Sequence, residues 1–263
     1  MKRFLAIILA GLMLLSLAAC GGKDDEVVKM GVLVESAEHK DHMKTTVDSV
    51  VYNNLTSALM DLESGKIISI ALETSVANYV AARNDKIAVL KTDSETSSES
   101  FYSMMTLDTN KEVYDILNNA IKEMKADGTL DSLIETELKA YIETDPVAKE
   151  LPHFDGAKTI KIGVTGDMPP MDFVATNGKA AGFNIALLTE IANRAQVNFE
   201  LVQIETGARS MALSSGKVDA VFWTKTITCE KCNSTADEGI AGTLITENYF
   251  TDYLNIITLK SDK

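Results

Sequence analysis

The chain spells strand–helix–strand alternation twice, and a polar stretch holding Pro146 and Pro152 separates the two runs. Such alternation has few solutions. Short β-branched runs joined through amphipathic helices build mostly parallel sheets covered by helices, so the expected fold class is α/β with two sheet-centred units.

In the first run, VKMGVLV (28–34) reads as a buried strand, and a polar stretch at 36–48 as a helix. Residues 50–52 form a second strand. Leu55, Leu59 and Leu62 then recur at helical spacing until Gly65 stops them, and 67–72, 76–83 and 87–90 follow as strand, helix and strand. Residues 92–100 are Ser/Thr/Asp/Glu-rich and read as a loop; 101–107 is a strand. Val113, Ile116, Leu117, Ala120, Ile121 and Met124 then line one stripe of a long helix that Gly128 interrupts, with helix resuming over 130–142. In the second run, strands are expected at 160–164, 199–204, 218–223 and 252–259, and helices at 185–195 and 210–214. A helix–Gly–Lys–strand pattern occurs in both runs, as LMDLESGKI (59–67) and MALSSGKVDA (211–220).

Residues 1–22 are expected to be a targeting segment: Lys2 and Arg3 precede an apolar run too short for a confident span. The run closes on Leu17-Ala18-Ala19-Cys20, which resembles a bacterial lipobox. That resemblance implies a signal peptide over 1–19, a lipidated Cys20 and a tether over 20–27. The formal charge of −13 argues against nucleic acid and against anionic membrane surfaces as partners. The remaining cysteines, Cys229 and Cys232, are spaced for a local disulfide or two free thiols. His39, His42 and His153 show no spacing that would complete a metal site with them, so no metal and no cofactor is expected.

TIKIGVTGDMPPMDF, GKAAGFNIALLTEIANRAQVNFELVQI and MALSSGKVDAVFWTKTIT, all after residue 158, resemble the opening of type II solute-binding proteins of the bacterial amino-acid-binding family (extracellular solute-binding proteins, family 3). ALMDLESGKIISIAL (58–72) and VYDILNNAIKEMKADGTLDSLI (113–134) resemble its close. The resemblance implies a two-lobed type II periplasmic-binding-protein fold with the lobes in permuted order. Residues 28–144 would supply the second-lobe segment and the C-terminal helices, 145–157 a linker, and 158–263 the first-lobe segment. A tandem pair of incomplete copies is the competing organisation.

The same resemblance carries the site. In the family's T-[ILV]-T-x-x-R motif the arginine grips a ligand carboxylate; this chain has Thr224-Lys225-Thr226-Ile227-Thr228-Cys229-Glu230-Lys231. Thr224 and Thr226 match ligand-contacting hydroxyl positions. Lys231 stands at the arginine position, keeping the charge but losing the two-pronged fork. Eight residues beyond Gly65, Glu73 falls at the acidic position that pairs with a ligand ammonium, and is expected at the cleft rim. The family's G-T-T turn appears as Glu35-Ser36-Ala37, leaving Ser36. Met168 replaces an aromatic clamp residue, Thr206 falls near the second aromatic position, and Trp223 is the candidate to supply the missing face. Trp223 could equally pack in the core, and Arg209 reads as an exposed helix residue.

These readings imply an extracytoplasmic, membrane-anchored receptor that captures a small polar ligand, an amino acid or related zwitterion, for an ABC permease. No catalytic residues are expected. No histidine lies near the cleft motifs, and no Ser-His-Asp order, phosphate loop or H-E-x-x-H occurs. The alternatives are a ligand-sensing or pocket-degenerate lipoprotein without a transport role and, behind it, an enzyme on the same fold.

Overall fold

The computed structural model describes residues 29–33, 48–90, 99–227 and 240–260. The expected leader with Cys20, residues 36–47 with Ser36, His39 and His42, and the segment with Cys229, Lys231 and Cys232 lie outside these described residues.

The strands are β1 (Lys29–Leu33), β2 (Asp48–Tyr52), β3 (Ser69–Glu73), β4 (Ile87–Leu90), β5 (Glu99–Leu107), β6 (Thr159–Val164), β7 (Asp167–Met168), β8 (Asp172–Val174), β9 (Ala180–Ala181), β10 (Asn198–Gln203), β11 (Ala220–Ile227), β12 (Thr243–Ile245) and β13 (Phe250–Leu259). The helices are α1 (Leu55–Glu63), α2 (Thr74–Arg83), α3 (Lys111–Asp127), α4 (Thr129–Ile134), α5 (Ala140–Glu143), α6 (Phe183–Ala195) and α7 (Arg209–Ser214). A π turn, Glu135–Lys139, joins α4 to α5.

Ten strands form one sheet, eight of them on a path in two halves, β10-β6-β11-β5 and β13-β3-β1-β2, with β12 on β5 and β4 on β13. The sequential neighbours β1–β2, β1–β3, β6–β10 and β6–β11 pair in parallel, as the alternation requires. β5 and β13 run antiparallel to their neighbours and to each other. Each of these two strands arrives from the other run of the sequence and inserts beside the third strand of its host half. The halves are thus mixed α/β lobes joined through a pair of crossing strands.

Local chemistry sets the elements. Asn54 caps α1 by accepting the Ser57 N–H at 2.8 Å, and the helix closes at Gly65 in the left-handed region. α7 ends with the same chemistry: Gly65 N donates to Leu62 O and Lys66 N to Asp61 O, while Gly216 N donates to Leu213 O and Lys217 N to Ala212 O. The repeated text therefore encodes a repeated turn. Gly182, at φ +110, precedes α6 where a Cβ would lie 2.4 Å from the Met171 carbonyl oxygen, so no other residue fits.

One apolar cluster runs through both lobes. It joins Leu55, Leu62, Ile70 and Val76 of the first to Met168, Met171, Phe183 and Leu187 of the second. The α3 stripe is buried as its spacing predicts, through Val113, Leu117, Ala120, Ile121 and Met124. The expected loop at 92–100 is shorter than its composition implies, because Glu99 and Ser100 already belong to β5: Ser100 pairs with Thr226 on one side and Asp252 on the other.

Candidate functional site

In open α/β sheets the residues just past the strand carboxyl ends meet the helix N-termini, and ligand sites form there. In the first lobe that position is the end of β3, where Glu73 leads directly into α2. Glu73 is 6% exposed. The expectation of a rim position is therefore corrected: the crossing strands cover it. Its Oε1 accepts from the Ser100 hydroxyl of β5 at 3.5 Å, and Asp252 of β13 is a second acid beside it. Burial, and after it the charge of Asp252, push the Glu73 carboxyl up to about 7.

Asp252 takes the role that Glu73 could have filled as the cap of α2. Its Oδ2 accepts the Ser75 backbone N–H at 2.8 Å and the Ser75 hydroxyl, and its Oδ1 accepts its neighbour Tyr253 N–H at 2.8 Å. An anion at a helix N-terminus is favourable, yet burial still raises the Asp252 carboxyl above the usual carboxylate range. Thr74 ties the same helix end to β13, donating to Tyr253 O at 2.7 Å and accepting from Asn255 Nδ2 at 2.9 Å. Tyr102, one turn of the pleat from Ser100, is buried, and its hydroxyl pKa rises through burial and then the charge of Glu73.

The second lobe presents a different arrangement. Past β6, Asp172 accepts Thr165 N–H at 2.9 Å, the Thr165 hydroxyl at 2.8 Å and Gly166 N–H at 2.8 Å, all at Oδ1. Its Oδ2 accepts Asn184 Nδ2 at 3.0 Å, and Asn184 Oδ1 accepts the Tyr249 hydroxyl at 3.1 Å. This network fixes the loop that carries β7. Asp167 beside it is half-buried, and burial raises its carboxyl. A recess of about 110 Å³ lies against Gly166, Asp172, Phe173 and Gln203, smaller than a site for an organic solute.

The structure brings some of the sequence candidates together. Backbone register sets Thr224 opposite Tyr102 and Thr226 opposite Ser100, one strand from the acidic pair. Thr224 is half-buried. Trp223 packs against the cluster of Met105, Ile204, Leu213 and Val221, the core alternative rather than a free aromatic face. Met168 is 7% exposed and belongs to the apolar cluster shared by the lobes. Arg209 is not the exposed helix residue its setting implied: it is 6% exposed, and burial pulls its guanidinium down to about 10. Thr206 is buried as well. Ser36, Lys231, Cys20, Cys229 and Cys232 lie outside the described residues.

Sequence reasoning missed Asp252, Ser75 and Ser100. Ser75 carries a readable signal, a hydroxyl in the first turn of a helix. Asp252 offers a weaker one, an acid opening an otherwise apolar strand. Among the described residues no group of three or more His, Cys, Asp or Glu could hold a metal, and no helix is long and apolar enough to cross a membrane.

Comparison with known proteins places this geometry in context. Against an L-arginine-binding protein of Pseudomonas aeruginosa the chain is 30% identical over 84 residues, 32% of each chain. The match thus spans about a third of that relative's length. The ligand-binding component of an ABC-type import system from Staphylococcus aureus, solved with zinc bound, is 11% identical over 88% of this chain and 65% of that one, with a TM-score of 0.44. A putative L-cystine ABC transporter from Listeria monocytogenes is 10% identical over 90% and 84%, with a TM-score of 0.42. Residues 160–257 match the model of bacterial extracellular solute-binding proteins, family 3.

Proposed function

We propose that this chain is a lipid-anchored extracytoplasmic receptor for a small polar solute, an amino acid or related zwitterion, built as a circular permutant of the type II fold. The observation that carries the reading is the acidic pair at the crossing strands. Glu73 sits at the carboxyl end of β3, beside the α2 N-terminus, in a chain whose residues 160–257 are similar to a solute-binding family. A ligand ammonium would take Glu73, with Ser100 and Thr226 lending hydroxyls. Lys231 would meet anionic oxygen, and Thr224 and Ser36 would complete the surroundings.

Strand order supports the permuted organisation. Both lobes share one plan: three parallel strands, then an antiparallel crossing strand, then a fifth strand, as β10-β6-β11-β5-β12 and β2-β1-β3-β13-β4. The family-like opening strand is β6, and β13 is the crossing from its lobe to the other. Residues 1–19 would be removed on export and Cys20 lipidated. More than one acyl chain is needed for a stable anchor. Two lobes that swing about crossing strands enclose a ligand between them, and delivery to an ABC permease would follow.

The test is a thermal-shift screen of the chain from Lys23 onward against amino acids, small peptides and other zwitterions. A ligand raises the melting temperature by mass action, and Glu73→Ala or Lys231→Ala should abolish the shift. A cooperative melt that no zwitterion moves would overturn the ligand class.

A further inference from the structure

The far end of α2 carries an arrangement that ligand binding does not use. Arg83, the last residue of this first-lobe helix, spreads its guanidinium over the end of α5. Nη1 donates to Ile142 O at 3.1 Å, and Nη2 to Tyr141 O at 3.0 Å and Thr144 O at 2.6 Å. The Asp145 carboxylate lies 3.6 Å away. These are the terminal carbonyls that a helix leaves without partners, and a planar guanidinium can satisfy several at once. α5 continues α3 and α4, which pack on β5 and α6 in the second lobe. Arg83 thus reaches from one lobe to a helix borne by the other.

The same guanidinium lies 3.7 Å from the centre of the Tyr79 ring, and Tyr79 in turn meets Phe173 of β8 at 6.1 Å. A cation stacked on an aromatic face and a tilted ring pair are both attractive, more so when partly desolvated. The stack Arg83–Tyr79–Phe173 therefore joins the lobes by a second route. Beyond Thr144 the connection to β6 is also pinned. Lys149 pairs with Glu137 at 2.5 Å, and Asn198 of β10 exchanges two hydrogen bonds with Phe154, at 2.8 and 2.9 Å.

We propose that Arg83, Tyr79 and Phe173 form an interlobe clasp that holds the two lobes together without a ligand. α2 then behaves as a lever, with the acidic pair at its N-terminus and the clasp at its C-terminus. Opening by rotation about β5 and β13 breaks the Tyr79–Phe173 contact and pulls Arg83 off the carbonyls of α5. The clasp biases the population toward the closed form, so less of any binding free energy goes into closure. The inference rests on the two-lobed architecture and not on the identity of a solute.

Small-angle scattering on the chain from Lys23 onward, with no ligand added, tests it. A compact chain of this length has a radius of gyration of roughly 18 Å, and Arg83→Ala should raise it by about 1 Å. Arg83→Lys, which keeps the charge but loses the fork, should fall between. Tyr79→Ala should reproduce the opening, and amide exchange across residues 140–150 should speed up about tenfold in Arg83→Ala. A cooperatively folded Arg83→Ala with unchanged radius and exchange overturns the clasp. Should Arg83→Ala fail to fold, Phe173→Ala on the opposite lobe decides by the same two readings.

Discussion

Asp172 and Glu73 are both buried carboxylates at the carboxyl end of a sheet, one in each lobe, and their surroundings are opposite. Asp172 receives two backbone N–H groups, a hydroxyl and an amide. Glu73 receives only its own backbone N–H and one long hydroxyl bond at 3.5 Å and faces a second acid, and its carboxyl rises to about 7. A carboxylate surrounded by donors is a structural fastener, because its charge is neutralised by dipoles from its own loop. One left short of donors beside another acid retains capacity for a proton or a cation. Counting donors around each acid separates scaffold from site where residue type cannot.

The strongest challenge to this contrast is Asp172→Ala. It leaves two backbone N–H groups, a hydroxyl and an amide buried without their acceptor, and should cost about 3–5 kcal/mol in urea denaturation. A loss under 1 kcal/mol would mean that the network is not holding the loop. Glu73→Gln should act in the reverse direction. A raised folded-state carboxyl binds its proton more tightly than the unfolded chain does, so its contribution is complete below about 4.5 and is lost as pH rises towards about 7. Glu73 should therefore contribute a fall of about 2–3 kcal/mol across that window, and Glu73→Gln should remove that share and be the more stable protein at pH 8. Equal pH slopes in the two proteins would remove Glu73 as the titrating group.

Asp252→Asn sharpens the account of the acidic pair. Removing its charge should bring the Glu73 titration down, read by carboxyl-carbon NMR. Weakening the α2 cap should cost about 1 kcal/mol in the same denaturation experiment. An unchanged Glu73 titration would mean that burial alone sets it. The smallest effects belong to Met60 and Met211, equivalent positions of the repeated helix–Gly–Lys pattern, 66% and 73% exposed. Met60→Lys and Met211→Lys should each change stability by no more than about 0.5 kcal/mol. A larger loss at one of them would show that the two turns are not equivalent.

Much of the fold was legible because it is local. Leu55, Leu59 and Leu62 announce α1, the stripe from Val113 to Met124 announces α3, and the two Ser-Gly-Lys turns announce both helix ends. What the residues conceal is which distant strand covers them. Glu73 is buried because β5 and β13 cross over it, and Ser75 meets Asp252 across 177 residues of sequence. Arg209 opens the short helix α7, and nothing in that helix's own text marks its burial. β11 reads as ending at Trp223 but continues to Ile227, because its last residues are paired by β5. Polar residues at strand ends carry no periodicity to mark their partners, so that part of the site appears only in three dimensions.

The position of β13 between β3 and β4 also governs how the molecule is made. β3 and β4 leave the ribosome some 160 residues before the strand that joins them, a delay of roughly 10–30 s at ordinary elongation rates. Throughout that interval their facing edges have no neighbour, and the first lobe cannot close. In a cytoplasmic protein that is an aggregation hazard. Under the export proposed above, in which the chain is threaded through a membrane before it folds, it becomes an advantage, since the strand that locks the first lobe is among the last to arrive.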